Sequence, residues 1–112
     1  MPQIQYATTT PQTLEAFRNR PCSLPYFDTD FVMPSPEEVR ALRNSMGLSQ
    51  TKMAQLVGVS WNKKGSNTIR KWETPVGEEN HRSISYGVWR LMLAIAGIVD
   101  PQDDVVKVRE LH

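Results

Sequence analysis

The middle of the chain carries a dense run of cations whose chemistry suits phosphate. From Arg40 to Trp72, a span of thirty-three residues, there are seven Lys or Arg side chains and no acid. The seven are Arg40, Arg43, Lys52, Lys63, Lys64, Arg70 and Lys71. Cations that share a small surface attract polyanions, so this pattern predicts contact with nucleic-acid phosphates.

The net charge of the whole chain hides this asymmetry, because it is only +1. The acids lie elsewhere, with Glu78 and Glu79 in a polar segment and Asp100, Asp103 and Asp104 close to the C-terminus. One face of the protein can therefore be strongly positive although the chain as a whole is nearly neutral.

Two short helical patterns joined at a glycine lie within the basic run. Ser49 is a suitable N-cap for a helix over Gln50–Val57, with Met53 and Leu56 predicted to face the core and Gly58 to make the turn. The segment NTIRKWE then resumes a helical pattern. Two helices joined by a tight corner are typical of a helix-turn-helix, which places its second helix in the DNA major groove.

The second helix could start at either of two positions, because the six residues WNKKGS lengthen the turn before it. In one, the helix begins near Ser66 after a long basic loop. In the other, it begins soon after Ser60, with Trp61 and Asn62 as base readers. The second solution puts Gly65 inside the helix at a cost of about 1 kcal/mol, and Ser66 is a good N-cap, which favours the first.

Elements on both sides of the basic run are predicted to complete an all-helical bundle. Ser35, followed by Pro36 and Glu38, predicts a capping box at the start of the first core helix, and Gly47 predicts its end. A short helix is expected earlier, over Pro11 to Asn19. The C-terminal residues DDVVKVRELH are expected to add a short strand or to remain loose.

The last core helix, expected from about Tyr86 to Ala96, is more apolar than one face of a small domain requires. This excess predicts that part of it packs against a second copy of the protein. Trp89, Leu93 and Ile98 are the candidate residues of that dimer contact.

With 112 residues the chain suits one domain, in which about two-thirds of the unfolded surface is buried. Residues 1–34 are interpreted as an N-terminal extension with a short helix and an extended arm, 35–98 as the DNA-binding domain and 99–112 as a tail. The lack of a membrane span or signal-peptide pattern predicts a cytoplasmic protein. Cys22 is the only cysteine, and His81 and His112 are far apart in sequence, so no metal site or cofactor is expected.

The segment VRALRNSMGLSQTKMAQLVGVS followed by TIRKWE resembles the phage-repressor and Cro-type helix-turn-helix family, also called the xenobiotic-response-element type. The resemblance covers roughly residues 35–98. It implies a compact, lambda-repressor-like bundle of four to five helices and a transcriptional regulator. No nucleophile elbow, phosphate-binding glycine loop or metalloprotease motif is present, so an enzyme is not expected.

The resemblance also implies roles for particular residues. Asn pairs with adenine and Arg with guanine in the major groove, and the base-reading candidates are Ser66, Asn67, Arg70 and Lys71. The phosphate-contact candidates, at the start of the first motif helix and on the lengthened turn, are Gln50, Thr51, Lys52, Lys63 and Lys64. Trp61 and Asn62 are further candidates for contact with DNA.

The expected function is a sequence-specific double-stranded DNA-binding regulator, a homodimeric repressor that binds an inverted repeat. The alternative is an antitoxin-type protein whose N-terminal extension engages a partner protein. Order in residues 1–34 separates the two, because an extension packed against its own core favours the repressor and an extension that is disordered alone favours the partner.

Overall fold

The computed structural model describes residues 10–111, which form an all-helical bundle. Its six α-helices are α1 (Leu14–Phe17), α2 (Pro36–Ser45), α3 (Gln50–Val57), α4 (Asn67–Trp72), α5 (Tyr86–Ile95) and α6 (Pro101–Arg109), and a 3-10 helix covers Pro21–Ser23. The predicted fold class is confirmed, although this part of the chain alone has six α-helices where four to five were expected. None of the helices in residues 10–111 has the length and apolar character needed to cross a membrane.

Local capping sets the starts of the core helices as the sequence predicts. The Ser35 hydroxyl accepts a hydrogen bond from Glu38 N, and the Glu38 carboxylate accepts one from Ser35 N at 2.8 Å, which closes the predicted capping box. Ser49 caps α3 by accepting from the backbone N–H of Lys52. Gly58, at a φ of 82°, makes the left-handed turn that ends α3.

Both ends of the described chain differ from expectation. The N-terminal helix is only Leu14–Phe17, since Thr13 caps it by accepting from the backbone N–H of Ala16. The C-terminal residues form α6 rather than a strand or a loose tail, because Asp100 provides the N-cap and Pro101 occupies the first helical position.

The core extends across the boundary predicted at residue 34. Phe17 and Cys22, from the N-terminal extension, are buried in the same cluster as Leu42 and Trp89. The Trp89 indole Nε1 donates to Cys22 O at 2.7 Å, and the Arg18 guanidinium donates to carbonyls just after α5. The described part of the extension therefore packs against its own core.

Two predictions about which apolar residues are exposed and which are buried are wrong. Trp89 and Leu93 are 0% exposed and Ile98 is 8% exposed, so these proposed dimer contacts lie inside their own chain, where α5 packs onto the other helices. Leu56 was expected to face the core, but it is half exposed, and Met53 and Ala54 form the buried face of α3 instead.

Candidate nucleic-acid interface

The second motif helix, α4, begins at Asn67 with Ser66 as its N-cap, as the favoured solution predicts. The Ser66 hydroxyl accepts from Ile69 N at 3.2 Å and donates to Ser60 O at 2.7 Å, which caps α4 and closes the lengthened turn. Ser66 is only 3% exposed. Its assignment as a base reader is wrong, because the hydroxyl is buried and both of its hydrogen bonds stay within the chain.

Two of the predicted base readers share the exposed side of α4. Asn67 and Arg70 are exposed, three residues apart, and an Arg70 guanidinium N–H donates to Asn67 Oδ1 at 3.2 Å. Lys71 is partly buried beside them, while Ile69 and Trp72 fix the opposite side of the helix in the core. This surface presents guanidinium and amide hydrogens, the groups that bind base edges in the major groove.

The lengthened turn before α4 is a compact structural unit. Asn62 N donates to Gly65 O at 2.8 Å and Gly65 N donates back to Asn62 O at 3.2 Å. Asn62 Oδ1 also accepts from Lys64 N at 2.8 Å. Gly65 has a φ of 151°, which disfavours a side chain there. The turn holds Lys63 and Lys64 in solvent, and Trp61 beside them is 52% exposed.

The same geometry gives Asn62 a role that the sequence analysis missed. The side-chain oxygen, which would accept from an adenine amino group, is occupied by the backbone of its own turn. The signal was present in the sequence, because an Asn three residues before a Gly is typical of turns that the Asn side chain closes. Asn62 positions the two lysines, and Trp61 remains the exposed candidate for DNA contact on this turn.

The turn packs against the start of α3 and forms a basic cleft. The Thr51 hydroxyl donates to Asn62 O at 3.1 Å and holds the two elements together. The cleft between them has a volume of about 430 Å³, and its lining contains Lys52, Lys63 and Lys64 but no acid. A concave site with several cations and the N-terminus of a helix is suited to a phosphate group.

A buried ion pair connects this cleft with α4. Arg43 binds Glu73 through two charge-assisted hydrogen bonds of 2.7 and 2.9 Å, and it also donates to Leu48 O. Gln50 Nε2 donates to Glu73 Oε1 at 3.1 Å. Arg43 is therefore committed to structure, and Gln50 retains only one amide hydrogen for a phosphate.

A comparison with characterised proteins finds a relative with significant sequence similarity. No model of a known protein family matches the chain. The transcriptional repressor protein KorC of Escherichia coli is 38% identical to it over 68 residues, which are 61% of this chain and 72% of KorC. The chain belongs to the KorC family. This membership supports a role as a transcriptional repressor and, at this level of identity, a regulator rather than an enzyme.

In this member of the KorC family, the cations of the basic run divide into two groups. Arg43 is paired with Glu73 inside the bundle. Within residues 10–111, the other six form no salt bridge, and all of them except the partly buried Lys71 are exposed: Arg40, Lys52, Lys63, Lys64, Arg70 and Lys71. Apart from Arg40 on α2, this uncompensated charge lies on α3, the lengthened turn and α4, and α3 and α4 are in contact.

Proposed function

We propose that the protein is a sequence-specific double-stranded DNA-binding repressor of the phage-repressor and Cro-type helix-turn-helix class. The observation that carries the proposal is the position of the exposed pair Asn67 and Arg70 on α4, next to a cleft lined by three lysines and no acid. One element suits base edges and the other suits the phosphates that flank them.

In this proposal α4 enters the major groove. Arg70 donates two hydrogen bonds to guanine and Asn67 pairs with adenine, each contact giving about 1 to 3 kcal/mol of discrimination. The hydrogen bond between them holds both side chains at the exposed side of the helix before DNA arrives. Lys71, which is less exposed, contacts a base or a phosphate at the edge of this surface.

The cleft holds the DNA backbone. Lys52, Lys63 and Lys64 neutralise phosphates, while the remaining Gln50 amide hydrogen and the backbone at Thr51 bind phosphate oxygen. These contacts give affinity and salt dependence rather than sequence preference. Bound at a promoter in the cytoplasm, the protein represses by excluding other proteins from that DNA.

A homodimer on an inverted repeat completes the proposal. Two α4 helices related by a twofold axis reach successive major grooves about 34 to 36 Å apart. The described part of the N-terminal extension supports this repressor over an antitoxin-type protein, because residues 11–34 contribute Phe17 and Cys22 to the chain's own core. An extension that is already packed has less surface left to wrap a partner protein.

The test is selection of binding sites from random double-stranded DNA at near-physiological salt. We expect an enriched inverted repeat for the natural chain. Asn67→Ala and Arg70→Ala each relax the preference at one position of every half-site, whereas Arg109→Ala, which removes an exposed cation of α6, leaves the preference unchanged. No enrichment by the natural chain, or an identical preference in both α4 variants, rejects the proposed base readers.

A further inference from the structure

Trp61 is the one tryptophan of this chain whose side chain is largely at the surface. Of the three tryptophans in the sequence, Trp72 is 8% exposed and Trp89 is 0% exposed, whereas Trp61 is 52% exposed. A tryptophan is ordinarily well buried, because its indole is large and mostly apolar. Within residues 10–111 the Trp61 indole forms no ring contact and no hydrogen bond. Its Nε1–H is therefore free to donate, and about half of the residue is open to a partner.

Hydrogen bonds fix the backbone on both sides of Trp61. The carbonyl of Ser60, the preceding residue, accepts a 2.7 Å hydrogen bond from the N-cap hydroxyl of α4. Asn62, the following residue, exchanges two backbone hydrogen bonds with Gly65, and its carbonyl also accepts from the Thr51 hydroxyl. A contact residue whose backbone is already ordered loses less entropy when it binds. Trp61 is thus held ready for a contact outside its own chain.

The charges near Trp61 indicate which class of molecule makes this contact. Lys63 and Lys64 follow it within three residues and line the basic cleft together with Lys52. These three lysines form no salt bridge within the described residues. Lysine is depleted in protein–protein interfaces, which disfavours a protein as the partner of the indole. Cations without counter-charges favour a polyanion instead.

The chemistry of an indole indicates which part of a DNA duplex it contacts. The base faces are stacked on one another in a duplex, so an indole reaches them only where a strand is unpaired. The base edges are contacted by α4 in the proposed function. The sugar–phosphate backbone remains, and it matches both parts of the side chain, because deoxyribose presents carbon to the ring face and phosphate oxygen accepts from Nε1–H.

We propose that Trp61 packs its indole against a deoxyribose of the strand whose phosphates occupy the basic cleft and donates its Nε1–H to a phosphate oxygen. The inference rests on the proposed function and deepens it by adding an uncharged contact with the DNA backbone. This contact gives affinity that depends little on base sequence or salt, because the indole displaces no counterion. The lengthened turn is then a DNA-binding element in its own right.

The test is quenching of tryptophan fluorescence by acrylamide, a neutral quencher, in the full chain. Acrylamide reaches Trp61 most readily, because Trp72 and Trp89 are buried. A random-sequence duplex at low salt is sufficient, since the proposed contact involves no base, and the anisotropy of the labelled duplex reports binding independently. We expect saturating duplex to remove most of the quenching. Trp61→Phe is the control for the assignment, and its fluorescence is quenched little with or without DNA.

The affinity for the same duplex measures what the contact contributes. Trp61→Ala is expected to lower the affinity by about three- to tenfold, the effect of uncovering roughly half of an indole. The slope of log affinity against log salt stays unchanged in this variant, whereas loss of Lys63 and Lys64 flattens it. Tyr26→Ala removes an aromatic side chain that is 64% exposed in the N-terminal extension and leaves the affinity unchanged. Circular dichroism checks that each variant is folded.

The other outcomes separate this contact from the proposed function. Unchanged quenching in a complex that anisotropy shows to have formed, or natural affinity in Trp61→Ala, overturns the contact and leaves DNA binding standing. Stronger protection by saturating single-stranded DNA than by duplex indicates stacking on unpaired bases and overturns the contact with deoxyribose. If the natural chain binds no DNA, the proposed function fails and the inference fails with it.

Discussion

At the scale of single residues, the pair Arg43 and Glu73 shows how burial changes what a cation does. The Arg43 and Glu73 side chains are 10% and 5% exposed, and their two hydrogen bonds connect α2 with the end of α4. The sequence alone places Arg43 among the cations available to phosphate. The structure commits it to fixing α4, so in the proposed function the exposed lysines contact the DNA backbone.

Glu73→Gln is expected to destabilise the protein by about 3 to 5 kcal/mol, because it leaves the Arg43 charge buried without its partner. Urea unfolding followed by circular dichroism measures the loss. Glu15→Gln is the matched control, since Glu15 pairs with Arg18 in solvent and such pairs contribute at most about 1 kcal/mol. Equal losses in the two variants contradict a structural role for the buried pair.

The Cys22 thiol is expected to be unreactive in the folded protein. Burial, and then the negative charge of Glu38, raise the pKa of Cys22 from 9.0 to about 12. The thiolate is the reactive form, so its fraction at neutral pH falls roughly a thousandfold. Because the pKa of Cys22 is higher in the folded chain, its effect on the free energy of unfolding depends on pH. Burial of the neutral thiol costs nothing electrostatically below pH 9.0, and the free energy of unfolding falls as the pH rises from 9.0 through about 12.

Alkylation at neutral pH, followed by mass spectrometry, checks this prediction. Modification is slow for the natural chain and becomes fast in urea at the same pH. Rapid labelling of the folded chain shows instead that the thiol is accessible and ionised.

At the scale of elements, the lengthened turn is a fixed part of the surface that presents Lys63 and Lys64. It is closed by the Asn62 and Gly65 hydrogen bonds and held to α3 by Thr51. Replacing both lysines with Ala is expected to reduce the slope of log affinity against log salt by about 2, because two phosphate contacts are lost.

The salt titration uses operator DNA obtained by selection. Lys107→Ala with Arg109→Ala removes the same charge from exposed positions of α6 and is expected to leave the slope unchanged. An equal fall in both double variants means that only the net charge matters and that the turn lies away from the phosphates.

The capping patterns explain why the core helices were predictable. Ser35, Ser49 and Ser66 each start a helix at the predicted position, since an N-cap acts within its own turn of chain. The sequence signals a turn at Asn62 and a cap at Ser66, but it does not show that the Asn62 side-chain oxygen and the Ser66 hydroxyl are both occupied within the chain. Whether a side chain points to solvent or closes its own turn depends on packing that local spacing does not record. The same limit applies to α5, whose pattern indicated an excess of apolar residues but not which ones were already buried.

At the scale of the whole molecule, the N-terminal extension is part of the body that carries the proposed DNA-binding surface. The Phe17 ring is fully buried, with its centroid 6.2 Å from that of Trp89 on α5. Phe17→Ala is therefore expected to cost about 3 to 5 kcal/mol and to shift one cooperative transition that is seen equally by tryptophan fluorescence and circular dichroism. Tyr26→Ala, at a largely exposed aromatic of the same extension, is the control and costs much less. If Phe17→Ala instead melts the extension and leaves the remaining transition unmoved, the extension is a separable arm, and a partner protein again becomes a reasonable occupant for it.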